Sequence, residues 1–332
     1  MVLRQALLDH EFFHVGPRGL EERAATGVRG AWDECGRSGM DRPVSGVPST
    51  DMAPLPGGPA GGYRVLAARQ QEGDGIRQAL LYQTHDVLGA AVLLAPDGDG
   101  TPGGEPSWRL LETARPPAAA PGGLGAARVL LGITAHPLST GDDLARVGAL
   151  LPDLVAGARP GRWQYDGRPT GQGFAVWEIP QNADPAADAA AAPPRRRLVV
   201  LAPVALEREL DAWAWHSRDR LAPLTRYLLH AAKLRYQAAV FDASRHRELR
   251  RRVEEATDRA RTASRLLRGN PRTALREALD TRAVLVGLRT DTDGLITAAA
   301  RLRVMSRTVR IARANLAAAV AGGAVVLLPG AG

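Results

Sequence analysis

The stretch "LTRYLLHAAKLRYQAAVF", residues 224–241, brings together the side chains with the widest chemical reach in this 332-residue chain. Lys233 is the only lysine, and Tyr227, His230, Arg235 and Tyr236 stand close to it in sequence. Two readings compete. The stretch is the wall of a reaction site, or it is the seam where the protein holds a partner.

The rest of the chain offers no catalytic signature to support the first reading. "GGLGAARVL" has the glycines of a phosphate loop but precedes a strand, whereas a phosphate loop follows a strand and opens a helix. "DGDGT" and "DTDGL" resemble the start of a calcium loop, which requires a bidentate Glu at its twelfth position. Counting from Asp97 reaches Trp108 and from Asp291 reaches Leu302, so both fail. The seven histidines, His10, His14, His85, His136, His216, His230 and His246, are scattered and none stands in HExxH spacing. They read as separate hydrogen-bonded or surface groups. Cys35, the one cysteine, falls near a helix end that disfavours a thiolate and reads as a small core residue. No G-x-S-x-G elbow is present. No catalytic, cofactor-binding or metal-ligating residue is therefore assigned. Convergence of His85, Asp86, His136 and Glu178 in one cleft would revive an enzyme.

A single thiol forms no internal disulfide, which fits a reducing, cytoplasmic setting. "MVLRQALLDHEFFHVG" is broken by Asp9 and His10 and does not read as a signal peptide. "ANLAAAVAGGAVVLLPGAG" barely reaches the roughly 18 apolar residues a membrane span needs and reads as a helix end plus tail. The formal charge is +8 with 43 basic residues, of which all but Lys233 are Arg. "RHRELRRRVEEATDRARTASRLLR" would suit a nucleic-acid stripe, but Glu248, Glu254, Glu255 and Asp258 are interleaved at pairing distance and no aromatics stand among the arginines. It reads as a solvated or partner-facing helix. Nucleic-acid binding stays as the alternative.

The elements that must position these residues fall into two parts. "LLDHEFFHV" reads as a strand, and "RGLEERAATGVRGAWDECGRSGM" as a helix with Leu20, Ala24, Val28 and Trp32 on one side. "YRVLAARQQ" and "IRQALLYQ" flank "EGDG" as a hairpin, followed by "DVLGAAVLLAP" and a helix at "SWRLLETAR". "ARVLLGITA", "GDDLARVGALLPDLV", "GFAVWEIP", "RRRLVVLAP" and "ALERELDAWAWHS" repeat the order. The expectation is an α+β domain over residues 1–220, a duplicated strand-helix-strand-strand-helix unit of ferredoxin-like type with halves about 1–120 and 125–220. Its strands would share one sheet with helices on one face. Trp213 and Trp215 flank Ala214, so one is expected in the core and the other at a partner or the helical part.

From Leu221 apolar residues recur every three or four positions. They fall at Leu224, Tyr227, Ala231, Leu234, Ala238 and Phe241, then from Leu249 to Leu267. "RGNPR" stops one helix at Gly269 and starts the next at Pro271. Leu288, Thr292, Leu295, Ala299, Leu302, Ser306, Val309 and Leu316 continue the rhythm. A long antiparallel hairpin over residues 221–320 with a flexible tail at 321–332 is expected. Its seam of Ala, Ser and Thr buries little area, so the hairpin needs a cover: the α+β domain, a second copy, or another protein.

"GAWDECGRSGM", "YQTHDVLGAAVLLAP", "FAVWE", "RRRLVVLAP" and above all "LDAWAWHSRDRLAPLTRYLLHAAKLRYQAAVF" together resemble the CATRA (caspase and TPR repeat-associated) proteins. The resemblance spans roughly residues 8–315. It implies a cytoplasmic, non-enzymatic component of an actinobacterial conflict system that works with a TPR-bearing, caspase-like peptidase. It also implies further helical sequence after "RANLAAAV", where this chain runs into "AGGAVVLLPGAG". Trp213, Trp215, Tyr227, Lys233, Arg235 and Tyr236 are the candidate partner-interface residues, with homodimerisation through the hairpin as a second mode.

Overall fold

A computed structural model describes residues 2–16, 18–47, 49–52, 54–73, 75–96, 107–114, 122–180, 195–215, 220–241, 244–269, 271–290 and 294–321. Two compact units emerge, one running to Lys233 and taken up again from Asn315, the other spanning Leu234–Ala314.

The first unit opens with β1 (Val2–Gly16), β2 (Gly19–Leu20), α1 (Glu22–Arg37), β3 (Arg42–Pro43), β4 (Tyr63–Gln70), β5 (Ile76–Thr84), β6 (Val87–Ala95) and α2 (Ser107–Ala114). It continues with β7 (Gly123–Thr134), α3 (Gly141–Gly148), α4 (Leu151–Leu154), a 3-10 helix at Arg162–Tyr165, β8 (Arg168–Pro169), β9 (Ala175–Glu178) and β10 (Arg195–Pro203). A 3-10 turn at Val204–Leu206, α5 (Glu207–Ala214) and the first part of α6 (Pro223–Phe241) close it.

The strands form one sheet in the order β3-β4-β5-β6-β1-β7-β10-β9-β8, with β2 paired to β1. Outward from the central β1·β7 pair, both halves place their strands alike: first strand, last strand, middle strand, outer strand. Their polarity differs. β6 runs antiparallel to β1, whereas β10 runs parallel to β7. The halves thus share an order without being superposable copies of one ferredoxin-like unit.

Helices cover both faces of the sheet, not one. The reason lies in the central strands, which are apolar at both parities. Along β1, Leu7, Phe13 and Val15 face one side and Leu8 and Phe12 the other. β7 and β10 do the same with Leu130, Val199 and Leu201 against Val129, Leu131, Leu198 and Val200. A strand without a polar face needs cover on both sides. Val28 and Trp32 of α1, Trp108 of α2, Leu144 of α3 and Leu151 of α4 supply one layer. Leu210 and Trp213 of α5, with Leu224, Tyr227 and Leu228 of α6, supply the other.

The second face also buries His10, which stacks on Phe12 with ring centroids 5.8 Å apart and has Nε2 3.3 Å from the Thr225 hydroxyl. Burial holds its pKa down at about 3. The unfolded chain takes up this proton near pH 6.5 and the folded chain only near 3, so stability is complete above 6.5 and drains away as pH falls through that window. At pH 5 the loss from His10 alone should be about 2 kcal/mol. His230 is lowered to about 4 by burial and by Lys233 and Arg226, and it steepens the same slope. Urea midpoints between pH 7 and pH 5 should fall for the wild type and fall less steeply in His10→Asn. An unchanged slope in that variant would remove His10 as the cause.

The second unit holds the end of α6, then α7 (Ser244–Gly269), α8 (Pro271–Thr290) and most of α9 (Leu295–Ala321). The stop at Gly269 and restart at Pro271 stand where the sequence places them. α7 and α8 pack together, burying Ala256, Ala263, Thr281 and Leu288. The second arm is not one helix. α8 ends at Thr290, and α9 starts at Leu295 directly after a bend at Gly294. The seam position Thr292 lies outside the described residues, as does residues 322–332 of the tail. Among the described residues no helix is long and apolar enough to cross a membrane.

Candidate interaction surface

The first part of α6 is bedded on the sheet. Leu224, Thr225, Tyr227, Leu228, Leu229 and Ala232 are buried, and burial fades from Lys233 onward. This is a broader face than the three-four seam predicts, because a helix laid on a flat sheet buries a wider arc than one packed on a single helix.

Polar anchors fix it. Arg196 of β10 donates two hydrogen bonds to Glu178 of β9 at 2.8 and 2.6 Å and a third to the Tyr227 hydroxyl at 3.2 Å. Burial works against the Arg196 charge, but the bond to Glu178 and the Tyr227 contact outweigh it and raise the pKa. Lys233 donates to Asp86 at 2.6 Å, in the turn between β5 and β6. Asp86 is partly buried, which opposes ionisation. The Lys233 bond prevails and holds its carboxyl below the ordinary range. The only lysine is thus an ion-pair partner at the end of the sheet-bound part of α6.

Trp213 is buried against Phe174, with ring centroids 5.5 Å apart. Trp215, just past α5, is half-buried and borders the second core and a smaller cluster of Leu80, Tyr82 and Leu221. Arg235 and Tyr236 are exposed in the second unit. The structure therefore spends Trp213 and Tyr227 inside the first unit, commits Lys233 to an ion pair, and leaves Trp215, Arg235 and Tyr236 with accessible area.

His85, Asp86, His136 and Glu178 do not converge. His85 and Asp86 precede Val87, which pairs with His14, while His136 follows Thr134, which pairs with Val2. The length of β1 separates them, about 40 Å. Glu178 is two strands away and taken by Arg196. Among the described residues no group of three or more His, Cys, Asp or Glu is placed to hold a metal ion.

Sequence reasoning missed a buried charge row on the first face. Asp9 accepts two bonds from Arg128 at 2.8 and 2.7 Å. Glu112 of α2 accepts from Arg197 and, at 3.1 Å, from the Ala156 amide, with Arg128 3.9 Å away. The signal was "RRRLVVLAP". Period-two alternation sends Arg196 to one face and Arg195 and Arg197 to the other, and arginines opening a buried strand need carboxylates opposite them.

The second unit has a different surface. Thirteen of the eighteen large apolar side chains left exposed among the described residues lie between Leu234 and Ala314. Leu275, Leu279 and Val286 line one side of α8 at 57, 55 and 52% exposure. Ile296, Val304 and Ile311 line one side of α9 at 57, 67 and 52%. Helical spacing places each trio on one face. Exposed apolar surface gathered in this way is, in proteins generally, the kind that binds partners.

No curated protein and no solved structure matches the chain. Two family descriptions do: residues 6–218 match the CASPASE and TPR Repeat-Associated N-terminal domain, and residues 222–330 match the C-terminal domain of the same name. With nearly its whole length matched, the chain belongs to the CASPASE and TPR Repeat-Associated family.

Proposed function

We propose that this chain is a non-enzymatic adaptor or regulatory component of a bacterial conflict system, and that it binds a caspase-like peptidase carrying TPR repeats. The sheet unit is the platform and the helices beyond Lys233 are the docking element. The observation that carries the reading is the crowding of exposed apolar side chains onto Leu234–Ala314, in a family named for caspase and TPR association. TPR arrays are stacked helix pairs with concave apolar grooves, a surface suited to helices of this kind.

Mixing the chain with a TPR-bearing caspase-like peptidase from the same genome should give a complex that elutes earlier than either protein in size-exclusion chromatography. Arg235→Glu should weaken it by about tenfold in Kd. Elution profiles that never shift on mixing would count against the proposal. Retention of DNA that weakens with salt, in the absence of any such complex, would favour nucleic-acid binding instead.

A further inference from the structure

Some arginines of the helical unit are paired within their own helix: on α7, Arg250 with Glu254, Arg251 with Glu248 and Glu255, and Arg261 with Asp258. α9 carries Arg301, Arg303, Arg307, Arg310 and Arg313 and no acidic residue at all. Among the described residues, no ion pair engages Arg303, Arg307 or Arg310. Residues 234–314 hold 19 arginines against 9 acidic residues, a formal excess of +10, while the whole chain carries +8. The imbalance is concentrated in this unit.

These arginines share a face with the exposed aliphatics. At 100° per residue, Ile296, Arg303, Val304, Arg307, Arg310 and Ile311 fall within one arc of α9, opposite buried Ala312 and half-buried Met305. The arc runs about 22 Å along the helix. We infer that this face of α9 docks an acidic, amphipathic helical surface of a partner protein, whose carboxylates pair with Arg303, Arg307 and Arg310 while its apolar residues cover Ile296, Val304 and Ile311. The inference rests on the adaptor reading and names the chemistry of the partner.

Three other occupants fit less well. A second copy would bring the same unpaired arginines against each other. A lipid surface favours a helix with its charges and apolar residues on opposite sides, whereas here they are interleaved. A nucleic acid would satisfy the arginines but leave three large aliphatics uncovered, with no aromatic side chain on α9 to stack a base.

The test uses the full chain and three labelled probes: a synthetic acidic amphipathic helical peptide of about 20 residues, single-stranded DNA of about 20 nucleotides, and phosphatidylserine vesicles. The peptide should bind, more weakly at high salt. Arg303→Glu/Arg307→Glu/Arg310→Glu should weaken it at least about tenfold, and Ile296→Ser/Val304→Ser/Ile311→Ser by a similar factor, with circular dichroism unchanged. The inference is overturned if the peptide does not bind, if both variants bind it as the wild type does, or if DNA or vesicles bind more tightly and lose binding in the charge-reversed variant. The caspase-like peptidase separates this inference from the adaptor reading. A peptidase held equally well by the charge-reversed chain sinks this surface and leaves the adaptor. A peptidase that never binds, alongside the expected peptide result, sinks the adaptor's named partner and leaves the surface.

Discussion

Glu112→Ala should cost about 3–5 kcal/mol of folding stability. Glu112 is 6% exposed at its side chain and serves three groups at once, two arginines and the Ala156 amide, tying α2 down onto the sheet. Removing it leaves the Arg197 guanidinium buried without its carboxylate, and an uncompensated buried charge is far more costly than the intact pair is favourable. Glu112→Gln keeps the shape and an acceptor for the amide, so it should lose less, about 2–3 kcal/mol. Glu112→Leu combined with Arg197→Leu should recover most of the loss, because two packed aliphatics replace the pair without a stranded charge. Urea unfolding of the three variants checks this. A double variant no more stable than Glu112→Ala would show that the carboxylate acts through something other than charge balance.

Gly148→Ala should be nearly as damaging, at about 3 kcal/mol or more. Gly148 is the last residue of α3, and a Cβ there would lie 2.0 Å from the Gln164 carbonyl oxygen and 2.9 Å from the Trp177 ring nitrogen. That carbonyl already accepts the Trp177 indole N–H at 3.0 Å, and Trp177 is fully buried. Neither neighbour has anywhere to go without opening the first core. Gly30→Ala is the control. It lies within α1 with nothing within 4 Å of the added methyl, and it should be neutral or stabilising by up to about 1 kcal/mol. Chemical denaturation followed by tryptophan fluorescence reads both. Equal midpoints for the two would refute the close-contact argument.

Much of the layout was legible because hydrophobic period and turn residues are local. Gly269 and Pro271 mark a helix stop and start from their own backbone preferences. The strands of "RRRLVVLAP" and "DVLGAAVLLAP" announce themselves by unbroken branched and aliphatic runs. Strand polarity was not legible. Whether β10 joins β7 parallel or antiparallel depends on which way the segments between them cross the sheet, and no residue of β10 encodes that. The two-sided covering was readable in principle, since "LVVLA" is apolar at both parities. Of the interface candidates, the sequence gives residue type but not depth. Tyr227 and Tyr236 look alike in the string, yet nine positions apart on α6 one lies beneath Arg196 and the other reaches water. The ion pairs Arg128–Asp9 and Lys233–Asp86 join residues 119 and 147 positions apart, a distance no window along the chain spans.

The bedding of α6 on the second face of the sheet has a practical corollary for anyone dividing the chain. The two family segments meet near residue 220, but Leu224, Tyr227, Leu228 and Ala232, beyond that junction, roof over Leu8, Val129, Leu131 and Val200 before it. A fragment cut at the junction would present a raw oily slab and clump, whereas one that keeps the next dozen residues retains its lid.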